Sequence, residues 1–417
     1  MKSFYNAEKI SENVWWVGAV DWSVRNFHGY LTERGTTYNA FLIIDEKITL
    51  IDTVKKEFFA EMLERISTVV DPAKIDYIVS NHAEPDHSGA LCDTIAVCDP
   101  EKVFASSMGA KTLKAYYGID VEPVASSLSL GQGSLTFVDT KMLHWPDSMV
   151  SFYDRDGVLF SQDAFGQHLA GSKLWADEYD PAILEYEMSK YYANIINAQS
   201  AKVLALLEAL PALNLPLRMI VPDHGPLFRK DFDQVFAAYR RFAEQKPQLK
   251  AAVVFSTMWH ATEALARAFA DGVRYAGVEV KIIDLAVSER SAVMTAVANS
   301  GLIAFGAPTM NNQVFPAMAD VLTYIKGLKP LNKIGFAFGS CGWSGEGVKQ
   351  ITAELETMKC DLPLPFIQSK YHPTQEELQK AFDAGCFLAE KSWSLSRSTD
   401  YPELYGCRKS CGNFIFY

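Results

Sequence analysis

IDYIVSNHAEPDHSG, residues 75–89, begins as a buried-strand pattern and then packs His82, Glu84, Asp86 and His87 into the loop that follows. Such a density of ligand-type side chains directly after an apolar run does not suit a solvated surface. Alternate residues of an extended loop converge on one point, while the adjacent Asp86 and His87 reach a second, so the motif supplies donors to two metal ions. Three later strand-like runs end the same way, with His144 in MLHWPDS, Asp163 in LFSQDAFG and His224 in VPDHG. A lone histidine is more often a satisfied packing residue than a ligand. Seven donors, each just after a strand-like run, reverse that expectation.

Around these loops the first half reads as strands at 14–20 (VWWVGAV), 40–44, 102–106, 134–139, 150–153, 158–161 and 218–222, with helix-period segments at 55–68 and 199–210. A further helix starts near 231 and is broken by KPQ at 246–248, which places the end of a first domain at residue 248. From 249 the pattern changes to five strands alternating with five helices. That alternation predicts a flavodoxin-like doubly wound parallel sheet over 249–396, and residues 397–417 form a tail that fits neither pattern. Two domains suit a chain of 417 residues, because a single core stops growing at about 250 to 300.

Composition narrows the function. The chain is 49% hydrophobic and 21% charged, which is globular and excludes a disordered polymer. A net charge of −11 without any basic block argues against nucleic acid and anionic membrane as partners. The amino terminus has no signal-peptide pattern and no run reaches the roughly 18 apolar residues of a span, so a cytoplasmic protein is expected. Seven scattered cysteines are expected to be reduced thiols.

The second domain carries its own site. Its first strand runs into STMWHAT, residues 256–262, where Ser256, Thr257 and Thr262 offer hydroxyls at a helix start whose free N–H groups complete an anion cradle. Neither GxGxxG nor a Walker lysine is present, which points to the phosphate of FMN rather than to NAD or ATP. Two further loops, GAPTMNNQVFP (306–316) and GSCGWSGEG (339–347), follow later strands and land on the same rim. Asn311 and Asn312 and the backbone of Cys341 and Gly342 are placed to bond a ring edge, and Trp259 and Trp343 to cover its faces. Met258, His260, Ala261, Pro308, Thr309, Ser340 and Gly345 complete the candidate flavin contacts.

The first-domain signature resembles the metallo-β-lactamase superfamily, which implies an αββα sandwich with the donor loops along one edge. Zinc hydrolases of that superfamily carry histidine where this chain has Glu84. Four imidazoles, three carboxylates and no thiolate favour iron or manganese over zinc. By that resemblance His82, Glu84 and His144 hold one iron, Asp86, His87 and His224 the other, and Asp163 both; three carboxylates then offset three of the four charges of a diferrous pair. His87 is the position at which the family varies.

Joined to a flavodoxin-like domain bearing GAPTMNN and GWSGE, the whole is similar to the flavodiiron proteins over roughly residues 1–395, with RNFHGY, GTTYNAF, MLHWPDSM, YYANI and STMWH falling in order. The resemblance implies an oxidoreductase with FMN and two irons per chain that reduces O2 to water, NO to N2O, or both, using electrons from rubredoxin or a similar carrier. It also implies a head-to-tail homodimer, with tetramers open, in which one subunit's flavin faces the other's iron. A diferrous pair and a reduced flavin together hold the four electrons that O2 needs. His28, Tyr38, His168 and Tyr191 or Tyr192 are candidates to donate a hydrogen bond or proton to the reacting diatomic, with His28, Tyr191 and His168 taken as the catalytic set. Two departures stand out. Cys341 sits where an aromatic residue is common, and Cys407 and Cys411 form an incomplete rubredoxin-like knuckle. The alternative is a dinuclear zinc hydrolase of the parent superfamily.

Overall fold

Period-two alternation organises the first half of the chain. Phe41 and Ile43 of strand Phe41–Ile43 face one core and Leu42 another, and Val158 and Phe160 part from Leu159 in the same way. Two sheets result. One has seven strands in the order Glu8–Lys9, Val14–Trp16, Phe41–Ile43, Thr49–Ile51, Tyr77–Ser80, Lys102–Ala105 and Glu122–Pro123. The other has five, in the order Ser127–Ser129, Ser134–Asp139, Met149–Tyr153, Val158–Gln162 and Met219–Pro222.

Their inner faces meet over Phe41, Ile43, Val79, Phe137, Phe160 and Val221. On the outside, Leu42, Leu50 and Ile78 pack against Met62, Ile66, Leu91 and Leu113 of helices, while Phe152, Leu159 and Ile220 pack against Val203, Leu207, Val235 and Tyr239. This is the αββα sandwich. The computed structural model describes residues 4–397, so Cys407 and Cys411 lie outside the described residues.

The run expected as one strand over 14–20 is two. Val14–Trp16 joins the large sheet, whereas Ala19–Asp21 pairs with Thr36–Tyr38. Gly18 permits the change of sheet, because a Cβ there would stand 2.3 Å from the Tyr38 carbonyl oxygen.

The chain divides into two compact units, Met1–Glu244 and Gln245–Tyr417. Gln245 belongs with the second, since its side-chain oxygen accepts from the Leu331 N–H at 2.8 Å and its carbonyl from Asn332 Nδ2 at 3.2 Å. In that unit five parallel strands lie in the order Glu279–Asp284, Lys250–Phe255, Leu302–Met310, Ile334–Cys341 and Ile367–Lys370, the doubly wound arrangement, with Gln313–Val314 folding back on the third. Phe255, Gly306 and Phe338 are in register, so the loops that follow leave one edge of the sheet together. No helix among the described residues is long and apolar enough to cross a membrane.

Candidate metal centre and flavin rim

Strand Tyr77–Ser80 ends against the interior of the sandwich, and the loop after it turns into the short helix Pro85–Ser88 with Pro85 at its first position. That turn separates the donors. His82, Glu84, His144 and Asp163 offer atoms all within 4.8 Å of one another, and Asp86, His87 and His224 do the same in a second group. Asp163 links the two. Its Oδ2 lies 2.8 Å from His144 Nε2 and 3.2 Å from His82 Nε2, while its Oδ1 lies 3.3 Å from His87 Nε2 and 3.6 Å from His224 Nε2. Glu84 stands 3.3 and 3.2 Å from His82 and His144, and Asp86 3.3 and 3.1 Å from His87 and His224.

The electrostatics of these side chains favour cations. Burial opposes charge on His82, yet hydrogen bonds to Asp147, Asp163 and Glu84 hold its pKa well above the usual imidazole range. His144 is likewise pushed up to about 9 by Asp163 and Glu84 against the cost of burial. Glu84 and Asp163 move the other way: burial raises them, but their histidine partners hold both below the usual carboxylate range. Asp86 Oδ1, Asp163 Oδ1 and both His87 nitrogens are buried and make no hydrogen bond. Atoms in that condition are costly unless a ligand satisfies them, and four imidazoles with three carboxylates fit two borderline metal ions.

Residues that fix the ligands were partly missed by sequence reasoning. Asp147 accepts from His82 Nδ1 at 2.9 Å and from the Ala83 N–H at 2.7 Å. The Thr37 carbonyl accepts from His224 Nδ1 at 2.7 Å. Gln162 donates to the Leu143 carbonyl and accepts from the Asp163 N–H, tying two donor loops together. Asp147 lies within MLHWPDS, but a carboxylate in a turn carries no mark of the histidine it serves.

The candidate proton donors separate. His168 is fully buried against His224, Tyr191, Phe27 and Tyr30, with ring centroids 4.7 to 5.0 Å apart. Burial and the neighbouring His224 hold its pKa well below the usual range, so its imidazole is neutral. Thr36 Oγ1 lies 2.9 Å from His168 Nδ1, and Nε2 makes no hydrogen bond. Tyr191 closes helix Pro181–Tyr191 and faces His168 and His224. Tyr192, one residue on in a π-turn, points instead to Ser200, Tyr239 and Phe242. Tyr38 lays its ring against His224, with its hydroxyl 3.4 Å from Asp21. His28 is exposed in a left-handed turn and reaches the cluster only through Phe27, whose ring meets those of His28, His168 and His224.

On the flavodoxin rim, Ser256 Oγ and Thr257 Oγ1 are buried without hydrogen bonds just before helix Ala261–Tyr275, as a phosphate cradle requires. Thr262 differs from expectation, for its hydroxyl is paired with that of Ser340 at 2.9 Å. Asn311 and Asn312 both have positive φ and form the turn of the hairpin to Gln313–Val314, and Asn312 accepts from Ser344. Thr309 accepts from the Gly347 N–H, which joins the second and third loops. Trp259 and Trp343 are 84% and 86% exposed and Met258 is half exposed. Large apolar side chains so bare beside unsatisfied hydroxyls fit a planar aromatic cofactor. Gly345 packs against the end of the Gln368 side chain, and Cys341 ends its strand half-buried, its thiol pKa raised by burial. His260 turns to Glu263 at 2.7 Å, and Ala261 and Pro308 are backbone and packing positions of the rim.

Fold and sites together define a two-domain protein in which a β-lactamase-type sandwich with two candidate metal-binding groups is joined to a flavodoxin domain. The family model described as ODP family beta lactamase matches residues 36–225, and that described as Flavodoxin matches residues 253–385. The chain is 44% identical to rubredoxin-oxygen oxidoreductase of Megalodesulfovibrio gigas, covering 90% of this chain and 95% of that one. It is 39% identical to nitric oxide reductase of Moorella thermoacetica, over 92% and 98% of the two chains. The crystal structure of the flavodiiron protein from Giardia intestinalis superposes with a TM-score of 0.92 at 35% identity, over 95% of this chain and 99% of that one. The chain belongs to the flavodiiron protein family.

Proposed function

We propose that the protein is a diiron–FMN oxidoreductase that reduces O2 to water, NO to N2O, or both, with electrons from rubredoxin or a similar small carrier. The observation that carries this reading is the Asp163 carboxylate, whose two oxygens face two separate groups of donors. When bound, the iron pair and the flavin supply two electrons each. His82, Glu84 and His144 hold one metal, Asp86, His87 and His224 the other, and Asp163 both. Relatives named as oxygen and nitric oxide reductases support this chemistry over the zinc hydrolase alternative, as does Glu84 among the donors.

Ser256 and Thr257 take the FMN phosphate, the loops at 306–316 and 339–347 take the ring, and Trp259 and Trp343 cover it. In a head-to-tail homodimer these exposed tryptophans are shielded by the second copy. Tyr191 and His168 stand against His224 on the metal side and supply hydrogen bonds there, with His28 one ring further out. The test is gas consumption by iron-loaded protein, with reduced rubredoxin supplied anaerobically and O2 or NO added in separate runs. Rapid loss of either gas is expected; loss of neither, or two zinc ions and no iron in the purified chain, overturns the reading.

A further inference from the structure

The imidazoles of the cluster are not equally secured. His82 donates from Nδ1 to Asp147 at 2.9 Å, and His224 donates from Nδ1 to the Thr37 carbonyl at 2.7 Å. Each therefore has a fixed tautomer, with the Nε2 lone pair aimed at the centre. His87 has no such bond. Neither of its ring nitrogens makes a hydrogen bond, and its main chain alone is anchored, the carbonyl accepting from the Thr53 N–H at 3.0 Å and the Thr53 hydroxyl at 2.5 Å.

The group that faces its Nδ1 is the Asp223 carboxylate, with Oδ2 at 3.6 Å. Asp223 is fully buried and both its carboxylate oxygens lack hydrogen bonds. Its main chain is held, the N–H donating to the Gln162 carbonyl and the carbonyl accepting from the Asn39 N–H. An inward carboxylate with neither a hydrogen bond nor a salt-bridged lysine or arginine is expensive to keep. Asp223 therefore stands opposite His87 with a backbone too well fixed to turn it elsewhere.

We propose that Asp223 is the positioning residue of His87: its carboxylate takes the Nδ1–H, sets the tautomer that leaves Nε2 free for the metal, and so decides occupancy of the Asp86–His87–His224 position. The proposal rests on the reading of the cluster as a two-metal centre.

The experiment uses the full chain, ferrous iron as the probe and anaerobic titration, with bound iron counted per chain and the two sites resolved by Mössbauer spectroscopy. Asp223→Ala is expected to lose about tenfold to a hundredfold in affinity at one site while the other keeps its affinity and spectrum. Asp223→Asn, whose amide oxygen still accepts from Nδ1–H, is expected to recover most of the loss. Two irons held by Asp223→Ala with unaltered affinity and spectra overturn the proposal, and so does equal loss at both sites in both variants, which marks a purely structural role. Failure of the unsubstituted chain to bind two irons overturns instead the two-metal reading beneath it.

Discussion

Removing the metals with a chelator should leave a first domain whose stability falls as pH rises through the neutral range. His144 shows why. Burial opposes its charging, but Asp163 at 2.8 Å and Glu84 at 3.2 Å outweigh that cost and push its pKa from 6.5 up to about 9. A group whose pKa is raised on folding contributes stability in full below its unfolded value and loses it as pH climbs through its folded value. The window therefore runs from pH 6.5 to about 9, and the contribution lost across it is about 3 kcal/mol from His144 alone. His82 and His87, also raised, act with the same sign. The carboxylates held low, Glu84 and Asp163, are ionised throughout and add no slope.

Iron competes with these protons for the same lone pairs, so loaded protein should show little of the slope and should release protons as it loads. The assay is urea denaturation of stripped and loaded protein between pH 6 and 9, with the His144 ring followed by NMR. A stripped protein whose stability is flat or rises across this window, with His144 titrating at the free-histidine value, would refute the reasoning.

Lys333 gives the opposite sign in the second domain. Burial lowers its pKa from 10.5 to about 8, and its ammonium donates to the Ala298 and Ser300 carbonyls at 3.0 and 2.7 Å. Its contribution to stability should rise by about 3 kcal/mol between those pH values, a slope that Lys333→Met lacks in paired urea melts. Asp147→Ala removes the acceptor of both His82 Nδ1 and the Ala83 N–H; iron affinity should fall about tenfold to a hundredfold, with about 1–3 kcal/mol lost from the stripped fold, measured by iron titration and denaturation. Trp343→Ala should weaken FMN binding about threefold to tenfold, the worth of one aromatic stacking contact. Because the side chain is exposed, its melting temperature without flavin should not move, and an unchanged flavin affinity by fluorescence titration would displace the third loop from the site.

The fold was legible where pattern and punctuation agree. The helices of the second domain begin at Ala261, Arg290, Pro316, Glu346 and Gln375, where apolar periodicity resumes after loops that contain Gly, Pro or Ser. VWWVGAV was not legible as two strands, because the reason lies in the Tyr38 carbonyl that presses on Gly18 from another strand. Nor does sequence choose between Tyr191 and Tyr192. Tyr191 meets His168 and His224 while Tyr192, where the π-turn begins, meets Tyr239 and Phe242, a division set by tertiary packing and not by residue type.

The grouping of the candidate donors was legible for a different reason from the residues that face them. A ligand must sit at a strand end, and its residue type declares it. A support is defined by which imidazole it faces, and here the pairings cross between motifs. Asp147 stands three residues from His144 but holds His82, Asp223 adjoins His224 but faces His87, and the carbonyl that holds His224 comes from Thr37. The His82, His87 and His224 loops thus each face a residue from another part of the sandwich, so these three imidazoles are oriented only once the sandwich closes. Damage to a support should accordingly appear at the imidazole of a different motif, and in the stripped protein Asp147→Ala should alter the NMR signals of the His82 ring more than those of His144, although the mutation lies in the His144 loop. A change confined to the His144 ring would show that proximity in sequence, not the crossed contacts, governs the centre.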